Sequence, residues 1–198
     1  MKKMKTVFKV DRNNGHVAFN EVVEGNEWVL NGEGVATIKF DGTSCMFKDG
    51  VLFKRFDRKV KKEFKRFIGT DKLTNDMFKE APEGFIPCEE NPDPKTGHWP
   101  GWVPINENDK WHIEGLKNTP DMSNGTFELV GPKVNGNKEK LDTHVLIRHG
   151  SRTVDDLVNR DFETIKEWLS KNFVEGIVFH HPDGRMAKIR RKDVSLDW

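Results

Sequence analysis

The sequence predicts an α+β fold built mainly from antiparallel β-sheets, with helices interspersed between the strands. Short runs rich in β-branched and aromatic residues recur along the 198 residues and outnumber the helical patterns. Turn signals such as Asp49-Gly50 and Asp183-Gly184 separate neighbouring runs, which is typical of β-hairpins. Because no repeat or linker-like segment interrupts the chain, we expect one domain over residues 1–198.

The composition favours a polar intracellular protein and argues against several classes. Charged residues make up 33% of the chain, and no apolar run is long enough to cross a bilayer. The basic N-terminus is not followed by the apolar segment of a secretion signal. Cys45 and Cys88 form neither a disulfide framework nor a zinc pattern. We expect a monomer that does not bind membranes and that lies in the cytoplasm, or in the host cytoplasm if the protein is viral.

The first half of the chain predicts a strand, a hairpin and a helix. Residues 34–40 form the strand, and residues 44–48 and 51–56 pair as a hairpin through Asp49-Gly50. Residues 59–68 have the periodicity of an amphipathic helix. Its apolar face carries Val60, Phe64, Phe67 and Ile68.

Residues 83–111 contain five prolines and predict a long loop. The tryptophans of this segment argue against disorder. We expect Trp99 and Trp102 either to stack on nucleobases or to fix the loop.

The second half predicts strands over residues 126–130 and 144–148. A helix capped by Asp161 follows and runs to about Lys171. The last predicted hairpin has three parts, namely 174–180, the turn Pro182-Asp183-Gly184, and 186–190.

Two local clusters of positive charge stand out in a chain whose net charge is only +1. Residues 54–66 carry eight basic and two acidic side chains, and residues 185–192 carry five basic side chains and no acid. Such clusters indicate phosphate binding at particular places. The alternative for the first cluster is an ordinary solvated face.

The motif Lys39-Phe40-Asp41-Gly42 follows the first predicted strand and supplies the nucleophile that we predict, Lys39. An amine that attacks phosphorus must be neutral, and partial burial beside other cations favours that form. Asp41 is suited to bind a ribose or to orient the lysine, and Gly42 allows close approach of a nucleotide. Taken alone, the tetrapeptide is more typical of an ordinary strand-to-turn junction, and its partners favour the chemical interpretation.

Glu175, Lys188 and Arg190 are the predicted partners of this lysine. Glu175 opens a strand, where a carboxylate can hold a hydrated Mg²⁺ or accept a proton from the attacking amine. Lys188 and Arg190 alternate along one strand, so both side chains point to the same face and suit a triphosphate. The alternative is an edge strand protected by charge.

Two further residues are candidate nucleotide contacts. Glu128 lies between apolar neighbours in a predicted strand, where it either faces a cleft or follows simple alternation. Arg55, on the hairpin after the lysine, is a candidate phosphate contact that can equally pair with Asp57.

These segments resemble the covalent nucleotidyltransferases, which include ATP-dependent RNA and DNA ligases and mRNA capping enzymes. The chain is most similar to the small 5′–3′ RNA ligase family typified by the human cytoplasmic RNA ligase, from about residue 30 to 195. The segments that match the family are Lys39-Phe40-Asp41-Gly42-Thr43, Phe127-Glu128-Leu129-Val130-Gly131, Glu175-Gly176-Ile177-Val178-Phe179 and Lys188-Ile189-Arg190-Arg191.

The resemblance implies a nucleotidyltransferase (ATP-grasp-like) fold without an OB domain. It implies that Lys39 becomes the AMP-lysine, that Glu128 contacts the ribose, and that ATP is consumed with Mg²⁺ or Mn²⁺, held by Glu175 through water. Asp41, Gly42, Arg55, Lys188 and Arg190 complete the expected ATP site. Arg190 stands where many ligases have a second lysine, which keeps the charge but changes its geometry.

The function predicted from the sequence is an ATP-dependent RNA ligase that joins 5′-phosphate and 3′-hydroxyl RNA ends through a lysyl-AMP intermediate. The predicted RNA surface is formed by basic residues of the first cluster, because phosphate contacts dominate nucleic-acid affinity. These residues are Lys59, Lys62, Lys65 and Arg66. The alternatives are a DNA ligase or guanylyltransferase with the same lysine chemistry, a non-catalytic nucleotide- or RNA-binding module, and a protein that attaches AMP to other proteins.

Overall fold

The computed structural model describes residues 4–11 and 13–198 and is α+β, as the sequence predicts. Within those residues the strands are β1 (Lys5–Thr6), β2 (Phe8–Asp11), β3 (Val17–Val22), β4 (Val35–Lys39), β5 (Thr43–Lys48), β6 (Val51–Arg58), β7 (Ile86–Pro87), β8 (Trp99–Pro104), β9 (Gly125–Val130), β10 (Val145–Arg148), β11 (Gly176–His180) and β12 (Met186–Arg190). The α-helices are α1 (Glu27–Leu30), α2 (Lys110–Lys117) and α3 (Phe162–Lys171), and 3₁₀ helices span Lys62–Phe67, Asn75–Met77 and Arg191–Val194. Over this described part of the chain, no helix combines the length and apolarity needed to span a membrane.

The described chain forms two compact units. The lysine unit comprises residues 4–41 and 148–198, and the hairpin unit comprises residues 42–147. Asp41 is the last residue of one segment of the lysine unit, and Gly42 is the first residue of the hairpin unit. The motif that begins with Lys39 therefore runs from one unit into the other along the chain.

The lysine sheet, ordered β1-β12-β11-β4, is the centre of the lysine unit. β1 runs parallel to β12, and the other neighbours are antiparallel. Side chains on one face of the sheet enter an apolar core that also contains Phe162, Ile165 and Leu169 of α3. The Asp161 carboxylate caps α3 by accepting from the Thr164 N–H at 2.9 Å, which confirms the predicted cap.

The hairpin sheet, ordered β10-β9-β5-β6-β8-β7, is the centre of the hairpin unit. The predicted hairpin is confirmed as β5 and β6, which pair from Lys48 opposite Val51 to Cys45 opposite Lys54. Asp49 and Gly50 both adopt positive φ, 50° and 81°, as a two-residue type I′ turn requires. A second core beneath this sheet contains Cys45, Leu52, Phe127 and Leu129.

Most of the other predicted elements are confirmed. β4, β9 and β10 lie within one or two residues of the predicted strands, and α3 ends at the predicted Lys171. β11 and β12 form the predicted terminal hairpin, in which Gly176 pairs with Arg190 and His180 with Met186.

The helix predicted over residues 59–68 is wrong in type and in start. A 3₁₀ helix spans Lys62–Phe67, while Lys61 is extended. Val60 forms a β-bridge with Phe78, and the Lys61 N–H donates to Met77 O at 2.8 Å. This tertiary pairing keeps Val60 and Lys61 out of the helix. The predicted apolar face still packs together in a small cluster with Phe78 and Trp99.

The long loop predicted over residues 83–111 is also wrong, because it contains β7, β8 and the start of α2. β8 pairs with β6 from Trp99 opposite Arg58 to Pro104 opposite Phe53. Pro100 lacks an N–H but its carbonyl accepts from Cys88 N at 2.9 Å, so the prolines do not prevent pairing. Trp99 and Trp102 are buried, and Trp99 packs edge-on against Phe78, so these tryptophans hold the segment in place.

Candidate active site

The polar face of the lysine sheet gathers the predicted catalytic residues of the lysine unit. Gly176 on β11 pairs with Lys39 on one side and with Arg190 on the other. Val178 pairs with Lys188 in the same way. Residues in register across a sheet, and those two apart along a strand, share a face, so Lys39, Lys188 and Arg190 lie on the same face.

Gly176 makes this close arrangement possible. A Cβ atom at this position would lie 2.2 Å from the Ile189 carbonyl oxygen and 2.8 Å from the Arg190 Cα atom. Backbone atoms cannot move aside as a flexible side chain can, so only glycine fits between β12 and β4 at this level. Gly176 lies between Lys39 and Arg190 across the sheet, so no side chain stands between these two cations.

Lys39 and Glu175 form an ion pair at the end of β4. The Lys39 Nζ atom lies 2.5 Å from Glu175 Oε2, with side-chain exposures of 20% and 11%. Burial raises the pKa of the Glu175 carboxyl and the charge of Asp41 adds to this effect, whereas Lys39 and Arg190 act in the opposite direction. The lysine nitrogen is therefore in contact with a carboxylate that holds a proton more readily than an exposed glutamate does.

Lys188 is the second cation of this face, and its environment differs from that of Lys39. Its Nζ atom has no hydrogen-bond or ion-pair partner among residues 4–11 and 13–198. Burial, followed by the charges of Arg190 and Lys39, lowers the pKa of Lys188 to about 8. An ammonium group that is poorly compensated inside the protein favours an anion as its ligand.

Arg190 is held in place by Asp193, a residue that the sequence analysis missed. Its Nε and Nη2 atoms donate to the Asp193 carboxylate at 2.9 and 2.6 Å, and Asp193 is almost fully buried. The same carboxylate accepts from the Arg190 backbone N–H and caps the following 3₁₀ helix. The spacing of three residues is the signal that identifies such a cap in a sequence.

Trp198 is a second residue that the sequence analysis missed. Its indole N–H donates to Asp41 Oδ2 at 2.6 Å. The two residues are 157 positions apart in the chain, and no local pattern connects them.

Glu128 and Gly42 meet within the hairpin unit. Glu128 on β9 pairs with Ser44 on β5, and the glutamate is buried. A Cβ atom on Gly42 would lie 2.2 Å from Leu129 O and 2.7 Å from Glu128 Cγ. Gly42 therefore has a structural role, because it leaves room for β9 and the Glu128 side chain to pack beside it. This role is additional to the close nucleotide approach predicted above.

Arg55 lies on β6 opposite Trp102, half-buried, and its Nε donates to Asp57 Oδ1 at 3.2 Å. This contact is the pairing considered from the sequence, and Asp57 is also 3.3 Å from His98 Nε2.

The predicted RNA contacts lie in the same unit. They are exposed side chains at or beside the 3₁₀ helix, namely Lys59, Lys62, Lys65 and Arg66.

The lysine unit offers carboxylates suited to a magnesium ion that arrives with a nucleotide. Within the described chain, no group of three or more His, Cys, Asp or Glu side chains forms a dedicated metal cage. Mg²⁺ is commonly held by one or two carboxylates together with water and substrate phosphates. Glu175 fits that pattern, because it is buried and close enough to Asp41 for the two negative charges to interact.

Comparison with known proteins gives one consistent family. The family model described as RNA ligase 1 matches residues 115–198, which include Glu128, Glu175, Lys188 and Arg190. The RNA ligase 1 of Pongo abelii is 33% identical over 221 aligned positions, covering 83% of this chain and 68% of the relative. The RNA ligase 1 of Danio rerio is 31% identical, covering 82% and 68%, and that of Rattus norvegicus is 30% identical, covering 83% and 68%.

Proposed function

The chain belongs to the RNA ligase 1 family, and from that premise we propose that it is an ATP-dependent RNA ligase that joins 5′-phosphate and 3′-hydroxyl ends through a lysyl-AMP intermediate. The observation that carries the proposal is the contact between Lys39 and Glu175, on the face of the lysine sheet that also bears Lys188 and Arg190. A nucleophile, a base and two phosphate-binding cations are thereby combined.

In the first step Lys39 Nζ attacks the α-phosphorus of ATP. The N–P bond forms, the bond to the β-phosphate bridging oxygen breaks, and pyrophosphate leaves. Glu175, which lies 2.5 Å from the nitrogen, accepts the proton that the lysine must lose. Burial favours this transfer because it raises the pKa of the Glu175 carboxyl.

Lys188 and Arg190 stabilise the negative charge that shifts toward pyrophosphate. Lys188 brings an ammonium group without a protein partner in the described structure, and Arg190 brings a guanidinium fixed by Asp193. Pre-positioned charges of this kind act at the transition state without reorganisation. Mg²⁺ or Mn²⁺, which Glu175 would hold through water, adds charge neutralisation at the phosphates when it is bound.

In the second step an oxygen of the RNA 5′-phosphate attacks the phosphorus of lysyl-AMP, so that a pyrophosphate P–O bond forms, the N–P bond breaks, and the Lys39 amine leaves and takes up a proton. In the third step the RNA 3′-hydroxyl attacks that 5′-phosphate, and AMP leaves.

We assign Asp41, Gly42, Arg55 and Glu128 to the nucleotide as predicted above. We assign the exposed basic residues Lys59, Lys62, Lys65 and Arg66 to the RNA backbone.

Joining of a labelled RNA with a 5′-phosphate and a 3′-hydroxyl, with ATP and Mg²⁺, tests the proposal. Wild type is expected to form joined product, and Lys39→Ala is expected to form none. Lys171→Ala, which removes an exposed lysine of α3, is the matched control and is expected to retain full activity. Joining by Lys39→Ala at the wild-type rate contradicts the assignment of the nucleophile.

The same assay separates the alternative functions. Preferential joining of DNA ends indicates a DNA ligase, and a requirement for GTP indicates a guanylyltransferase. Reversible nucleotide binding with no joined product and no covalent adduct indicates a binding module.

A further inference from the structure

We propose that Trp198 is a positioning residue for the adenylation step and acts through Asp41, an inference that rests on the function proposed above. The indole Nε1–H donates to Asp41 Oδ2 at 2.6 Å, and the carboxylate acceptor makes this a charge-assisted hydrogen bond. Asp41 is two residues from Lys39 in the chain. The indole therefore fixes a carboxylate that belongs to the same motif as the nucleophile.

The indole is itself held by aromatic packing. The ring centroids of Trp198 and Phe173 are 5.1 Å apart with an interplanar angle of 36°. The Arg191 guanidinium lies 5.1 Å from the centroid of the Phe173 ring. Phe173 precedes Glu175 by two residues, so the packing ties the indole to the segment that enters the catalytic strand β11.

The backbone next to Trp198 is anchored by a buried arginine. Arg191 Nε donates to the Asp197 carbonyl at 2.7 Å, and its Nη1 atom donates to the Asn172 carbonyl at 2.9 Å. Arg191 is buried, and its guanidinium links the end of α3 to residue 197. This anchoring, together with the ring packing, sets the direction of the indole N–H.

The position of Asp41 matters to the chemistry through the backbone that carries the nucleophile. The Lys39 Nζ atom donates to the Phe40 carbonyl at 3.4 Å and to Glu175 Oε2 at 2.5 Å. The Phe40 carbonyl belongs to the planar peptide that joins Phe40 to Asp41, so a fixed Asp41 holds this acceptor in place. The bond from Trp198 thereby keeps the Lys39 amine aligned for attack.

A double-mutant cycle tests this inference. Trp198→Phe removes the N–H donor and retains an aromatic ring, and Asp41→Ala removes the acceptor. Single-turnover formation of lysyl-AMP at saturating ATP is measured for wild type, each single variant and the double variant. We expect Trp198→Phe to lower the rate roughly tenfold in the wild-type background and less than about twofold in the Asp41→Ala background.

A matched control is available in the same unit. Trp168 Nε1 donates to Asp156 Oδ1 at 3.0 Å, which is an indole–carboxylate bond outside the motifs. Trp168→Phe therefore makes the same chemical change and is expected to leave the adenylation rate unchanged. A second variant, Phe173→Leu, removes the ring against which the indole packs and is expected to slow adenylation several-fold, again only when Asp41 is present.

The results separate this inference from the proposed function. Adenylation of wild type together with a normal rate in Trp198→Phe and in Phe173→Leu overturns the positioning role alone. An equal loss in both backgrounds also overturns it, because the effect would then bypass Asp41. Absence of lysyl-AMP in wild type contradicts the proposed function itself.

Discussion

At the scale of single residues, the contact between Lys39 and Glu175 is the centre of the proposed chemistry. A lysine paired with a carboxylate at 2.5 Å is held by charge attraction, so a proton must move before the nitrogen can attack. Burial raises the pKa of Glu175 and makes it a better acceptor of that proton.

Glu175→Gln is expected to slow single-turnover adenylation by about 100-fold or more, because the amide retains the shape but cannot accept a proton. Glu163→Gln, which changes an exposed glutamate of α3 in the same way, is the control. A normal rate in Glu175→Gln, measured by rapid quench at saturating ATP, contradicts the assignment of the base.

The lowered pKa of Lys188 predicts a pH dependence for the proposed adenylation. Its pKa is lowered to about 8, so the side chain is charged below that pH and becomes neutral as the pH rises through it. Above about pH 8 the free enzyme should bind ATP less well, and kcat/KM for adenylation should fall relative to Lys188→Arg, which stays charged. The ratio of kcat/KM between variant and wild type, measured from pH 7 to 9.5, should rise with pH. A flat ratio contradicts a phosphate-binding role for the Lys188 charge.

The sequence predicts Lys39, Glu175 and Lys188 as one site, and the structure brings these three residues together. Lys39, Glu175 and Lys188 are recognisable because they recur within ordered motifs. Two partners were not predicted, namely Asp193, although its spacing of three residues from Arg190 is a readable cap signal, and Trp198, because its contact with Asp41 spans 157 positions. Contacts of the second kind are set by the packed tertiary structure.

At the scale of elements, strand pairing brings the predicted catalytic residues of the lysine unit together. Turn chemistry identified the β5–β6 hairpin correctly because Asp49-Gly50 has a specific backbone requirement. The segments over residues 59–68 and 83–111 were mispredicted because pairing with distant strands overrode their local patterns.

Gly176→Ala tests the pairing of β11 and β12. Its Cβ atom would approach the Ile189 carbonyl oxygen to 2.2 Å, so the strands must separate, and because the contacted atoms are backbone we expect a loss of about 2–3 kcal/mol in the free energy of unfolding. Gly136→Ala is a control, because its Cβ atom would meet nothing within 4 Å and only its positive φ of 75° opposes the change, at about 1 kcal/mol. Urea denaturation measures the free energy of unfolding of both variants. Equal losses in the two variants contradict the close approach of Gly176 to the Ile189 carbonyl oxygen.

At the scale of the whole molecule, charge distribution matters more than net charge. The formal net charge is +1, yet the exposed basic residues beside the 3₁₀ helix concentrate positive charge on one segment of the hairpin unit. The sequence predicted this concentration directly, because it depends on residue identity and exposure and does not require a regular α-helix.

The triple variant Lys62→Ala, Lys65→Ala, Arg66→Ala is expected to weaken RNA binding and to reduce its salt dependence. Loss of three phosphate contacts should make the slope of log K against log salt shallower by about 2. Exposed lysines of the same unit, replaced together at Lys110, Lys117 and Lys140, provide the control. An unchanged salt slope in the first triple variant excludes this segment as the RNA surface.

The central claim is that Lys39 becomes covalently joined to AMP, and intact-protein mass spectrometry tests it most directly. Wild type and Lys39→Ala are each checked for pre-existing adduct and then incubated with Mg²⁺ and either ATP or GTP. We expect a gain of one AMP in wild type with ATP only, and no gain in Lys39→Ala. Wild type that carries no adduct before or after incubation, or Lys39→Ala that gains AMP as wild type does, contradicts the claim.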